Sequence, residues 1–173
     1  MAASARGRFC DTVAGWVAAQ IRNHAGFTLD AIDPATGGPE VEGEGFRRRI
    51  GGADAFLIVV PEYNHSYPGA LKTLIDSASA EWRAKPVAFV SYGGVSGGLR
   101  AVEHLRGVFA ELHAVGIRDC VCFPNAREQF DAAGRLINEP RYARAMDTLL
   151  SRLGWWGRGL RAARETESYG EAA

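Results

Sequence analysis

Two polar stretches rich in glycine and aromatic residues are where this chain can hold a ligand. One is Pro61-Glu62-Tyr63-Asn64-His65-Ser66-Tyr67-Pro68-Gly69-Ala70-Leu71-Lys72, and the other is Ser91-Tyr92-Gly93-Gly94-Val95-Ser96-Gly97-Gly98-Leu99-Arg100. Each closes an apolar run and is itself too polar for a core. A flat heteroaromatic ring needs aromatic or apolar walls, hydrogen bonds at its heteroatoms, and main chain that approaches without bulky side chains. Tyr63 and Tyr92 offer walls, Asn64 and Ser66 offer hydrogen bonds, and Gly93, Gly94 and Gly97 permit close backbone approach. Proline and glycine also punctuate strand ends, so either stretch alone reads equally well as a connector. Together they point to a site.

A second chemistry is written in Gly94-Val95-Ser96-Gly97-Gly98, which matches Gly-x-Ser-x-Gly between a strand and a helix, as a hydrolase nucleophile elbow would. That order requires an acid and then a histidine on later strand ends. The last histidine, His113, falls with Glu103, His104 and Glu111 on the helix that Ser96 would lead into, so the hydrolase is the weaker reading. His24, His104 and His113 share no metal-ligand spacing. Three cysteines are too few for a disulfide framework, and Cys120-Val121-Cys122 lacks the two-residue gap of common zinc and redox motifs. The three thiols are expected to be reduced, with Cys120 and Cys122 on one face of a strand.

The elements that must position the two stretches follow from periodicity. Residues 55–60, 86–92 and 117–123 are continuous apolar runs, which suits strands buried on both faces of a parallel sheet. Helical spacing places a first helix from Phe9 to about His24, others at 68–79 and 99–115, and a last one from about Pro140 to Leu160. Residues 27–33 alternate apolar and polar and read as a short strand, and a short helix is expected around Phe46 to Ile50. Strands alternating with helices predict an α/β open parallel sheet with helices on both faces. Residues 1–160 are expected to be one domain and residues 161–173 a charged, fraying tail.

Composition excludes several functions. With 47% hydrophobic and 23% charged residues the chain can bury a core, and 20 basic residues balance 20 acidic ones. No basic field is present to grasp nucleic acid or an anionic membrane, so neither is an expected partner. No run is long enough to span a bilayer, and the first residues lack the apolar centre of a secretion signal, so a cytoplasmic location is expected.

Pro61-Glu62-Tyr63-Asn64-His65-Ser66 with Pro68-Gly69-Ala70-Leu71-Lys72 and Asp76 resembles the signature of the NADPH-dependent FMN reductase family, which includes flavin, quinone, azo-dye and chromate reductases. The stretch from Ser91 to Arg100 is similar to that family's second flavin-contacting segment. The resemblance implies a flavodoxin-like three-layer fold, bound FMN, NADPH or NADH as electron donor and a small-molecule acceptor. It also implies a homodimer or dimer of dimers. By position, Pro61, Glu62, Tyr63 and Asn64 would line the flavin ring edge, with Ser91, Tyr92, Gly93, Gly94 and Gly97 supporting its other side. No protein acid, base or nucleophile is required, because the cofactor carries the electrons.

In this family the FMN phosphate sits in the turn between the first strand and first helix, which makes Ser4, Arg6 and Arg8 its expected contacts; surface solvation is the equally weighted alternative. Only Met1-Ala2-Ala3 precede that turn, so the first central strand is expected to be missing from this chain. A polypeptide that naturally starts upstream is the favoured explanation, and a variant with weakened FMN affinity is the other. A flavin electron carrier and a flavin-free interaction domain are the non-enzymatic readings of the same fold.

Overall fold

The three apolar runs form strands because each sends alternate side chains into two separate buried layers. The computed structural model describes residues 8–37 and 41–170. Strands β1 (Phe56–Pro61), β2 (Pro86–Tyr92) and β3 (Val115–Phe123) lie parallel in the order β1-β2-β3. On one face Leu57, Val59, Ala88, Val90, Val121 and Phe123 pack against helices α1 (Phe9–Asn23) and α5 (Glu139–Thr166). On the other, Phe56, Val60, Val87 and Phe89 pack against α2 (Gly43–Gly52), α3 (Gly69–Asp76) and α4 (Leu99–Glu111). The result is the expected three-layer arrangement. It explains why the runs are largely apolar, since helices pack on both faces of the sheet.

Local chemistry sets several boundaries. Pro68 precedes α3 as its extended N-cap residue instead of occupying the first helical turn. Lys85 is buried and donates to the carbonyls of Ile50 and Gly51, both at 2.7 Å, which satisfies the end of α2. The last helix runs past its expected end at residue 160 to Thr166. Arg161 reaches Asp54 at 3.2 Å and Arg164 donates to the Ala84 carbonyl at 2.6 Å, so this stretch is tied down where fraying was expected.

Residues 27–33 are a correction: they are extended but form no strand. Among the described residues none of their amides donates to another backbone group. They are held by packing of Phe27, Leu29 and Ile32 against the cores, by the Thr36 amide donating to the Asp33 carbonyl, and by side chains, from Arg49 to the Asp30 carboxylate and the Ala31 carbonyl and from Arg8 to Asp33. A strand exists only through a neighbour, and among the described residues no strand pairs with the free edge of β1. Instead a groove runs beside that edge, lined by Phe27, Leu29, Val17, Ile21, Leu57 and Val59, and it is continuous with the strand ends at Tyr63, Gly94 and Arg127 in one cavity of about 2110 Å³. The groove is where the flavodoxin-like order places a further strand.

The open edge leads to a dynamic prediction. In hydrogen exchange, the amides of residues 27–33 and the outward-facing amides of β1 will exchange roughly 100-fold or more faster than those of β2, which is bonded on both sides. Equal protection of residues 27–33 and β2 would contradict the open edge.

Candidate functional site

The parallel register brings Pro61 of β1 opposite Tyr92 of β2, so both strands end level and both polar stretches leave the same end of the sheet. The first stretch turns back at once. Tyr63 and Ser66 exchange backbone hydrogen bonds at 2.8 and 3.0 Å around Asn64 and His65, whose φ angles are 48° and 67°. Two left-handed residues in a two-residue turn favour Asn-Gly; His65 keeps the turn in place of glycine at some backbone cost. Its amide and that of Asn64 donate to no acceptor among the described residues. The Ser66 hydroxyl and His104 Nδ1 are hydrogen-bonded at 3.0 Å, which anchors the stretch to α4.

The second stretch is held from inside. Ser91 is fully buried and donates to the Gly97 carbonyl at 2.8 Å. A side chain at Gly98, where φ is 89°, would put its Cβ 2.6 Å from that of Ser91, and one at Gly97 would meet Pro124 N at 3.0 Å. A Cβ at Gly93 would sit 3.2 Å from that of Glu62. Gly98 thus lets the loop close on Ser91, Gly97 lets it pass the end of β3, and Gly93 lets it approach Glu62. Gly94 differs: its Cβ would meet nothing, and the amides of Gly94, Val95 and Ser96 donate to no acceptor among the described residues.

One carboxylate joins the two stretches. The Glu62 side chain, only 8% exposed, accepts from Ser96 Oγ at 2.6 Å, from the Arg100 guanidinium at 2.7 Å and from the Arg100 amide at 3.3 Å. Burial raises its pKa, but the donors from Ser96 and Arg100 outweigh that effect and hold the carboxyl below the ordinary value of 4.5. Since the Ser96 hydroxyl is committed to Glu62 and no histidine bonds it among the described residues, the nucleophile-elbow reading has no support.

These positions reassign several expected roles. The Glu62 carboxylate faces Ser96 and Arg100 and clasps the two stretches together. Tyr92 is 7% exposed and packs edge-on against Phe9 with centroids 5.7 Å apart, so it forms floor and not an open wall. Ser91, Gly93 and Gly97 act within the loop, and Ser66 is occupied by His104. Tyr63, 62% exposed, and Asn64 and Gly94 remain free to meet a ligand, joined by Val95 at 83%.

The expected phosphate contacts are divided. Ser4 and Arg6 lie outside the described residues. Arg8 precedes α1, but its guanidinium pairs with Asp11 at 2.8 Å and with Asp33, which neutralises the charge an anion would seek. Sequence reasoning missed Arg127. It follows β3 in a turn that bonds the glycine stretch through Asn125 N to Gly94 O at 2.8 Å and Ala126 N to Gly93 O at 3.0 Å. Its guanidinium lies 5.2 Å from the centre of the Phe9 ring at the start of α1 and has no carboxylate partner among the described residues. The available signal was its place, directly after a third strand end, where ligands of such sheets gather.

The clasp predicts a pH effect. A carboxyl held low in the fold stabilises it fully above pH 4.5 and progressively less as pH falls through the folded value. Glu62→Ala will cost about 1–3 kcal/mol in denaturant unfolding at pH 7 by stranding Ser96 and Arg100, and the cost will shrink on acidification. A cost that does not change with pH would show that the carboxylate charge is not what holds the stretches together.

The family described as NADPH-dependent FMN reductase matches residues 1–128. The chain is 43% identical over 116 residues to an NAD(P)H:quinone oxidoreductase of Solanum tuberosum, covering 62% of this chain and 59% of that one. It is 34% identical over 143 residues to a 2-hydroxy-1,4-benzoquinone reductase of a Burkholderia species, covering 79% and 77% respectively. It thus spans less than two thirds of the length of the plant relatives, 59% and 58% for the Solanum and Arabidopsis proteins. Among solved structures, FerB, a flavoenzyme NAD(P)H:(acceptor) oxidoreductase from Paracoccus denitrificans, superposes with a TM-score of 0.62 at 22% identity, covering 90% of this chain and 93% of that one. That likeness supports the flavodoxin-like fold. With the matched family spanning both polar stretches, the chain belongs to the NADPH-dependent FMN reductases.

Proposed function

We propose that this protein is an FMN-dependent NAD(P)H oxidoreductase that takes hydride from NADPH or NADH and delivers electrons to a small acceptor of the quinone or flavin class. The observation that carries this reading is the pair of unused amide sets, Asn64 with His65 and Gly94 to Ser96, held level by the Glu62 clasp between the exposed side chains of Tyr63 and Val95. The arrangement fits a flat ring with heteroatoms along one edge: donors for the edge, an aromatic side chain for a face, and no Cβ at Gly94 to obstruct it. When bound, FMN would supply the two-electron chemistry. The chain's own residues would orient the ring, with Tyr63 against one face and the other face left to donor and acceptor in turn. Arg127, beside the N-terminus of α1, and Ser4 and Arg6 would hold the phosphate end.

The relatives' quinone substrates support an acceptor of that class. We infer a homodimer as the working assembly; Tyr63, Val95 and Leu99 are large exposed apolar side chains at the site, and a second copy would cover them. The free thiols of Cys10, Cys120 and Cys122 suit a reducing compartment, the cytoplasm. We read residues 1–160 as one domain.

The glycines separate the site from the scaffold. Gly94→Ala will leave unfolding free energy within about 0.5 kcal/mol yet weaken FMN binding roughly tenfold or more, read by quenching of flavin fluorescence, with a matching loss of FMN-dependent NADPH oxidation in the presence of a benzoquinone. Gly98→Ala will instead destabilise the fold by about 1–3 kcal/mol, since it combines a left-handed backbone with a clash at Ser91. Wild-type protein that neither quenches FMN nor oxidises NADPH would overturn the proposal.

A further inference from the structure

We propose that Cys120 and Cys122 form a dithiol clip that takes up one trivalent arsenic centre of the R–As=O class. The two residues project from the same face of β3, and their sulfurs are 3.6 Å apart. Both thiols are free and half-buried. An open depression of about 620 Å³, lined by Cys120, Glu103, Arg106, Gly116, Arg118 and Asp119, leads to the first of them.

Strand geometry selects the ligand. Residues two apart on a strand have Cα atoms about 6.5 Å apart and side chains that run side by side, at the far limit of what a direct disulfide spans. Sulfurs fixed almost in contact but on parallel stems are poorly placed to bond each other. They are well placed to bond the same third atom, provided it accepts two sulfurs on one side and needs no further protein ligand. Among the described residues no group of three His, Cys, Asp or Glu side chains is assembled to complete a metal site. That disfavours zinc, which takes four ligands. Three-coordinate arsenic, with its third position already filled by carbon, has the required valence.

The surroundings favour thiolate at Cys120 and the protonated thiol at Cys122. The contact between the two sulfurs lowers the pKa of Cys120 and raises that of Cys122; at Cys120 burial opposes the shift, Arg106 assists it, and Asp119 and Glu103 oppose it. Arg106 is fixed there by the carbonyls of Ile117 at 2.8 Å and Arg118 at 3.1 Å, 5.6 Å above the Phe89 ring. In the reaction both thiols attack arsenic in turn: the As=O linkage is lost, two As–S bonds form, and the oxygen leaves as water with the two thiol protons. Arsenic stays trivalent and no oxidant or reductant is consumed.

Phenylarsine oxide tests this on the full-length protein by intact mass and thiol titration. The expected result is one adduct per chain, loss of two of three titratable thiols, and reversal by a small 1,2-dithiol. Cys10→Ser will bind as the parent does. Cys120→Ser and Cys122→Ser will each bind roughly 100-fold more weakly, because chelation makes the second bond intramolecular. Should either serine variant prove unstable, protection of Cys120 and Cys122 from alkylation, mapped by peptide mass in the unsubstituted protein, gives the same answer. Undiminished binding by the serine variants, protection confined to Cys10, or a Cys120–Cys122 disulfide formed in air in preference to the adduct would overturn the proposal.

Discussion

The buried carboxylate of Glu62 is the interaction on which the site depends. Two stretches that leave adjacent strands are tied at their base by the Glu62 amide, which donates to the Tyr92 carbonyl at 2.9 Å, but further out their polar, water-exposed parts have few apolar contacts to fix their separation. Glu62 accepts from the hydroxyl of Ser96 and from both the amide and the side chain of Arg100. It thereby fixes the first stretch to the second and to the start of α4 in one step. The Ser66 pair with His104 adds a second attachment on the same helix. A rigid frame of this kind leaves the remaining amides oriented before any ligand arrives, so their ordering cost is met during folding and not during binding.

Beneath the frame the sheet is unequal. β2 is bonded on both sides and entirely buried, whereas β1 carries one bonded edge and one open one beside an apolar groove. Both polar stretches grow from the bonded β1–β2 pair, so the site is carried by the better-supported half of the sheet. The other half rests on side-chain ties from Arg8 and Arg49 to residues 30–33. Exposed ion pairs of this sort contribute little each, so packing of Phe27, Leu29 and Ile32 against the cores carries most of this attachment.

The three strands were legible in the sequence because burial on both faces leaves a largely apolar run, and no other local structure of that length needs one. Residues 27–33 were misread for the opposite reason: alternation records which side chains could be buried, but whether a strand forms is decided by an edge elsewhere in the chain. The two polar stretches were found from composition and position, yet residue types did not tell which groups face outward. Gly93 and Gly97 read as ligand-approach glycines, but a side chain there would meet Glu62 and Pro124, and the Glu62 carboxylate ties the two stretches together. Arg127 was invisible because its significance comes from the ring of Phe9, far away in sequence, and from hydrogen bonds of its turn to Gly93 and Gly94.

The proposed flavin ring would lie against the amides of Asn64, His65 and Gly94 to Ser96. Amide chemical shifts followed during titration with FMN test this placement most directly. The account predicts that the largest perturbations fall on those five residues and on Tyr63, with the interior positions Ser91, Gly97 and Gly98 moving little. Perturbations concentrated instead along residues 27–33 and the open edge of β1, or none at saturating FMN, would contradict it.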